Sequence, residues 1–189
     1  MTVLLSASVP LPERGAKYFE TSDVVSIRDA VKAFIQVFAT KHRIHFGGHP
    51  AITPLVSLMM KRHPEVENER IFLYQSEFYR NKYPDENHEF VHKIYVDEVK
   101  DDEIRSLEKM RSRMLTDHPL SAAIFIGGMG GVVEEYKMIR RLQPNARCFP
   151  IASTGGAALE IFQDGGFESE LKDQLTYRTL FRKISDLAS

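Results

Sequence analysis

A single cysteine, Cys148, is the whole thiol content of this 189-residue chain. One cysteine closes no intramolecular disulfide, and its place in the apolar run 147–151 suits a buried, inert thiol in a reducing compartment. An excess of charge is missing too. Lys and Arg number 25 and Asp and Glu 26, a formal net charge of -1. No global basic field exists to hold a nucleic-acid backbone or an anionic membrane, so any anion site must be local. No run of about 18 apolar residues spans a bilayer, and the segment Met1 to Pro10 lacks the basic region and apolar length of a signal peptide. The expectation is a cytoplasmic protein without nucleic-acid or membrane partners. Two nucleotide fingerprints are also absent. After Gly128-Met129-Gly130 a dinucleotide motif needs glycine at position 133, where Val133 stands, and no Gly-Lys-Ser/Thr run makes a P-loop. Hydride transfer and P-loop ATP hydrolysis are excluded, as is a Gly-x-Ser-x-Gly nucleophile elbow. No cofactor is called for.

What is present is an ordinary globular composition, 43% hydrophobic and 27% charged. At this length folding buries roughly 70% of the surface that the unfolded chain exposes, which is enough for one core. One domain over 1–189 is expected. The apolar run Val3 to Val9 ends at Pro10 and Pro12 and reads as a buried strand followed by a loop. Thr21, Ser22 and Asp23 are N-cap residue types, and Val24, Ile27, Val31, Phe34, Ile35 and Phe38 recur at helical spacing. Arg43 to Phe46 is a short strand entering Gly47-Gly48-His49-Pro50, after which Thr53 and Pro54 start a helix that ends near Lys61. Strands follow at 71–75 and 90–96, separated by a polar, aromatic-dotted stretch that is a candidate mobile loop. Asp101 and Asp102 cap a helix stopped by His118-Pro119. Ser121 to Ile126, apolar on both faces, reads as a central parallel strand. It enters Gly127-Gly128-Met129-Gly130-Gly131 and a helix from Val132 to about Leu142. Arg147 to Ile151 is a strand that Pro150 marks as an edge, and it precedes Ser153-Thr154-Gly155-Gly156 and a helix to about Phe162. An amphipathic C-terminal helix over 168–189 either closes the core or faces a second subunit. Alternating strands and helices predict an α/β fold: a Rossmann-like, doubly wound, mainly parallel sheet with glycine-rich loops at the strand carboxyl ends.

In such a sheet the three glycine loops share one rim. There glycines let the backbone approach a ligand, and helix N-termini favour phosphate or another anion. The run Ile126-Gly-Gly-Met-Gly-Gly-Val-Val-Glu134 resembles the Pro-Gly-Gly-x-Gly-Thr-x-x-Glu signature of the Lonely Guy phosphoribohydrolases, within the SLOG superfamily of Rossmann-like proteins. His45-Phe-Gly-Gly-His49 is similar to that superfamily's earlier glycine loop, and Leu5-Ser-Ala-Ser8 to its first strand end. Ile126 stands where the signature has proline and Gly131 where it has threonine, and no arginine is identified with the catalytic one of those hydrolases. The chain looks closer to a SLOG branch found beside effector proteins in bacterial conflict systems. That resemblance implies binding of a nucleotide-derived signal such as ADP-ribose or a cyclic isomer, an effector partner and a homodimer. The alternative it implies is an N-glycosidase acting on a nucleoside 5'-monophosphate.

The ligand-binding candidates are Ser6, Ser8, Gly47, Gly48, His49, Gly127, Gly128, Met129, Gly130, Gly131, Glu134, Thr154, Gly155 and Gly156. In the hydrolase reading Glu134 is the catalytic carboxylate, because a carboxylate stabilises an oxocarbenium-like centre or activates water. Glu135 is expected to be solvated or to complement the helix dipole. Tyr74, Tyr79, Arg80 and Tyr83 are candidates to cover a base. His88-Glu89-Phe-Val-His92 spells a zinc-peptidase pattern, but that pattern works only on a helix, and its setting is rich in strand formers. No metal site is assigned.

Overall fold

The computed structural model describes residues 1–187. Six strands form one sheet: β1 (Thr2–Ser8), β2 (Arg43–Phe46), β3 (Ile71–Ser76), β4 (His92–Val96), β5 (Leu120–Gly127) and β6 (Arg147–Ile151). Their order is β4-β3-β2-β1-β5-β6, and every pairing is parallel. The helices are α1 (Ala16–Thr21), α2 (Val24–Phe38), α3 (Thr53–Arg62), α4 (Glu103–Thr116), α5 (Gly130–Leu142), α6 (Gly156–Gln163), α7 (Glu170–Asp173) and α8 (Tyr177–Leu187). This is the doubly wound Rossmann-like α/β architecture.

Two cores result, one on each face of the sheet. On one face, Val3 and Leu5 of β1 and Ile124 and Ile126 of β5 pack with Ile27, Val31, Phe34 and Phe38 of α2. On the other, Leu4 and Phe125 pack with Met110 and Met114 of α4 and Val132 and Ile139 of α5. Alternate residues of β1 and β5 thus serve opposite cores, so Val3 to Leu5 and Ala122 to Ile126 read as unbroken apolar runs. Helix α2 starts where Asp23 accepts from the N–H groups of Val25 (2.9 Å) and Ser26 (3.2 Å), and Asp102 caps α4 through Arg105 N–H. As an edge strand, β6 tolerates Pro150.

The boundaries depart from the expectations in four places. Helix α5 begins at Gly130, inside the glycine run, rather than at Val132. A short α1 precedes α2 where a continuous loop was expected. The stretch between β3 and β4 contains two 3-10 turns, Glu77–Lys82 and Asp85–Glu89, in place of an open loop. The C-terminal segment is two helices, broken at 174–176, not one over 168–189, and positions 188 and 189 lie outside the described residues. Leu180, Phe181 and Ile184 of α8 are buried against α2, where the Phe181 ring meets the edges of Phe34 and Phe38 at 6.0 and 5.9 Å. The stripe on this last helix therefore completes the chain's own core.

Candidate functional site

Crossovers from β1 leave toward β2 on one side and β5 continues the sheet on the other, so the carboxyl ends of β1 and β5 mark the topological switch point where α/β sheets open a crevice. Gly128 N–H donates to Ser8 O (2.8 Å) and joins the two strand ends. Over this seam lies a cleft of about 790 Å³, walled by the loops after β1, β2 and β5, by the segment after β3 and by one face of α4.

The start of α5 forms part of its floor. Its N-cap, Met129, makes no side-chain capping bond, so the first amides, at Gly130 and Gly131, meet the cleft without a protein side chain across them. Beside them stands Arg111, whose Nε donates to Glu135 Oε1 at 3.3 Å. The other carboxylate oxygen, Glu135 Oε2, accepts from Ser6 Oγ at 2.6 Å. The side chains of Arg111 and Glu135 are 18% and 12% exposed, so this pair is largely removed from water and the guanidinium is held in place. Arg14 and Lys82 add two further cations to the wall. Glu103, the second carboxylate of the lining, accepts from Tyr79 Oη. Burial, followed by that bond, pushes the Tyr79 hydroxyl up to about 12, so it stays a donor.

The opposite wall comes from the loop after β2 and the end of β3. His49 Nδ1 accepts from Ala51 N–H (3.1 Å). Burial, with Arg14 adding to it, lowers His49 to about 4, so the ring is neutral at pH 7 and its proton sits on Nε2. Gln75, at the end of β3, donates from Nε2 to Gly48 O (2.9 Å) and ties the two loops together. Gly48 has φ +62, and a Cβ there would lie 2.0 Å from Gln75 Nε2, so this close approach requires glycine.

Of the candidate residues, Ser8, Gly47, Gly48, His49, Met129, Gly130 and Gly131 line the cleft together. Ser6 lies beneath it and reaches it through Glu135. Gly127 and Gly128 are buried in the strand-to-helix turn. Thr154 is wholly buried: its Oγ1 donates to Ile151 O (2.6 Å) and accepts from Gly127 N–H (2.8 Å). Gly155 and Gly156 face protein instead of the cleft. Gly156 N–H donates to Thr21 Oγ1 and Ala157 N–H to Gly128 O, so the start of α6 is occupied. Glu134 does not line the cleft; it is exposed and pairs with Lys137 at 2.9 Å. Glu135, expected to be solvated, is instead the enclosed carboxylate, because Gly131 and Glu135 are four residues apart and share a face of α5. His88 and His92 lie on a 3-10 turn and on β4, not on one helix, and Glu89 between them bonds Ser57 and Lys61. Tyr79 and Tyr83 line the cleft, whereas Tyr74 is buried in the core beneath α4 and α5, its hydroxyl near His45 and donating to Asp117. Arg14, Gln75, Arg111 and Glu135 escaped sequence reasoning; only the helical phase of position 135 carried a local signal.

A parallel doubly wound sheet with a cleft at its switch point, two glycine loops and an uncapped helix start places the chain in the Rossmann-like class of α/β proteins. Within that class, residues 17–184 match the model of the SLOG cluster3 family, and the chain belongs to that family. Membership supports a nucleotide-related function at a coarse level. No curated protein and no solved structure matches the chain significantly.

Proposed function

We propose that the cleft recognises a nucleotide-derived small molecule of the ADP-ribose type, and that the chain senses this ligand and reports it to an effector partner in bacterial defence signalling. The observation that carries the reading is the cationic end of the cleft, where Arg111 stands beside the uncapped amides that open α5 and Arg14 also joins the lining. An anionic phosphate fits that end. Sensing is favoured over cleavage because Glu135, the enclosed carboxylate of the lining, has both oxygens engaged, Oε2 by Ser6 and Oε1 by Arg111. A general base needs a free lone pair aimed at water. The alternative N-glycosidase reading through Glu134 draws no support from an exposed side chain paired with Lys137.

The test is mass spectrometry of the protein incubated with nucleoside monophosphates, NAD, ADP-ribose and cyclic ADP-ribose isomers, reading bound and free fractions separately. Intact ligand enriched on the protein is the expected result. Free base or ribose phosphate accumulating with time would overturn the sensor and make the chain an N-glycosidase. The homodimer belongs to the same proposal; since the α8 stripe is internal, its interface must use another face, and light scattering measures the mass.

A further inference from the structure

We infer that His49 and Gln75 read the base of the bound nucleotide and select an aminated base, adenine or cytosine, over its oxo counterpart. The inference rests on the nucleotide reading above and adds what the cleft discriminates. Both residues line the cleft, and they are held in register by the Gln75 Nε2 to Gly48 O bond, Gly48 being the residue next to His49. That bond fixes the orientation of the Gln75 amide: Nε2 is occupied as a donor, and Oε1 remains as the acceptor. His49 is fixed in the complementary sense. Its Nδ1 is occupied by Ala51 N–H, so the neutral ring presents Nε2–H as a donor. The cleft is therefore offered one donor, from the loop after β2, and one acceptor, from the end of β3, and the two cannot exchange their roles.

On its pairing edge adenine presents the ring-nitrogen acceptor N1 beside its exocyclic amine donor, and cytosine presents N3 beside its N4 amine. These answer His49 Nε2–H and Gln75 Oε1 in turn. On the pairing edge of hypoxanthine and uracil both positions are inverted, N–H for ring nitrogen and carbonyl for amine. Donor would then face donor, and acceptor would face acceptor. In a partly buried site an inversion of this kind leaves four groups unpaired, and binding is expected to weaken by about tenfold or more. The rings of Tyr79 and Tyr83 on the neighbouring wall suit the face of either base size.

The experiment is a calorimetric or competition titration of the wild-type protein with AMP against IMP, CMP against UMP, and ADP-ribose against the same molecule carrying hypoxanthine. Preference for the aminated member of a pair by about tenfold is expected, and comparing the pairs separates purine from pyrimidine. Gln75→Leu and His49→Phe, with folding checked by circular dichroism, should each bring the ratio to within about threefold. Equal affinity within the pairs, or preference for the oxo member, would overturn the base-reading role while leaving the nucleotide reading intact. Binding of none of these ligands would overturn both. The wild-type series decides the question even where a variant fails to fold.

Discussion

Two glycines only 24 positions apart, Gly131 and Gly155, should respond to alanine in opposite ways. At Gly131 an added Cβ would lie 2.7 Å from Arg111 Nη2, and the next atom met is Arg111 Cζ at 3.8 Å; no backbone is touched. The guanidinium, at the free end of a long side chain, must shift by roughly 0.7 Å to reach the 3.4 Å of ordinary contact. Position 131 has helical backbone, so Gly→Ala recovers about 0.5–1 kcal/mol of chain entropy. Gly131→Ala should therefore fold as stably as the parent or slightly more so, and bind ADP-ribose several-fold more weakly because Arg111 has moved. At Gly155 the backbone has φ 70 and ψ -158, a region essentially confined to glycine, which costs a side chain about 1–3 kcal/mol. The added Cβ would also lie 1.8 Å from Thr21 O, a backbone atom. Relief requires moving the end of α1 and breaking the Gly156 N–H bond to Thr21 Oγ1 and the Asp23 N–H bond to Thr154 O. The sum is about 3 kcal/mol or more, a fall in Tm of about 6–12 °C for a chain of this size. Differential scanning fluorimetry with and without ADP-ribose reads both quantities. A Gly155→Ala protein within about 2 °C of wild type, or a Gly131→Ala protein less stable than Gly155→Ala, would refute the assignment of one glycine to the ligand cleft and the other to packing.

Three other perturbations follow from the same geometry. Thr154→Val removes a hydroxyl that both donates and accepts in a fully buried setting, and should cost about 2 kcal/mol by urea denaturation while Thr154→Ser stays near wild type. Burial holds the native pKa of His45 at about 4, below its ordinary 6.5, while the unfolded chain takes up the proton at 6.5. Stability from this group is complete above pH 6.5 and is lost at about 1.4 kcal/mol per pH unit as the pH falls toward 4, a slope that His45→Gln should reduce in denaturation curves at stepped pH. Glu135→Gln should weaken ADP-ribose binding by loosening Arg111, whereas Glu134→Gln, on an exposed pair, should leave both affinity and stability unchanged in titration and melting. A loss of binding in Glu134→Gln alone would reverse the two roles.

Much of the fold is legible in local pattern. The apolar runs of β1 and β5 are continuous because each strand feeds two cores, and Asp23 and Asp102 are caps at the positions where the helical spacing begins. Pro150 signals an edge, and β6 is one. The start of α5 is not legible, because glycine is a poor helix former and a run of it reads as loop until tertiary packing overrides that preference. Nor is the division of the C-terminal segment, where the break at 174–176 interrupts an otherwise helical pattern. The site was half legible. Glycine loops after β2 and β5 mark where a ligand approaches, but Ser6 and Glu135 meet across 129 residues, and Arg111 joins them from a helix whose remaining arginines are solvent-facing. Sequence spacing carries no signal for such a contact.

Glycine count does not separate the loops that face a ligand from those that do not; what occupies the start of the following helix does. After β2, the leading amide of the turn into α3, at Ala51, is held by His49 Nδ1, so that loop presents an imidazole N–H in place of bare amides. After β6, the first amides of α6 are held by Thr21 Oγ1 and Gly128 O, and the glycines there admit protein backbone. After β5, no side chain caps α5, and the nearest charged group, Arg111, is turned alongside its first turn by Glu135 from within the same helix. Taking two charges out of water costs several kcal/mol that a pair of like volume but without charge would not, so the Arg111–Glu135 pair is weak as a source of stability. Its geometry has a different consequence. With one carboxylate oxygen on Ser6 and the other on Arg111, the guanidinium is positioned beside the helix start before any ligand arrives, and an incoming phosphate meets a cation that does not have to be ordered first.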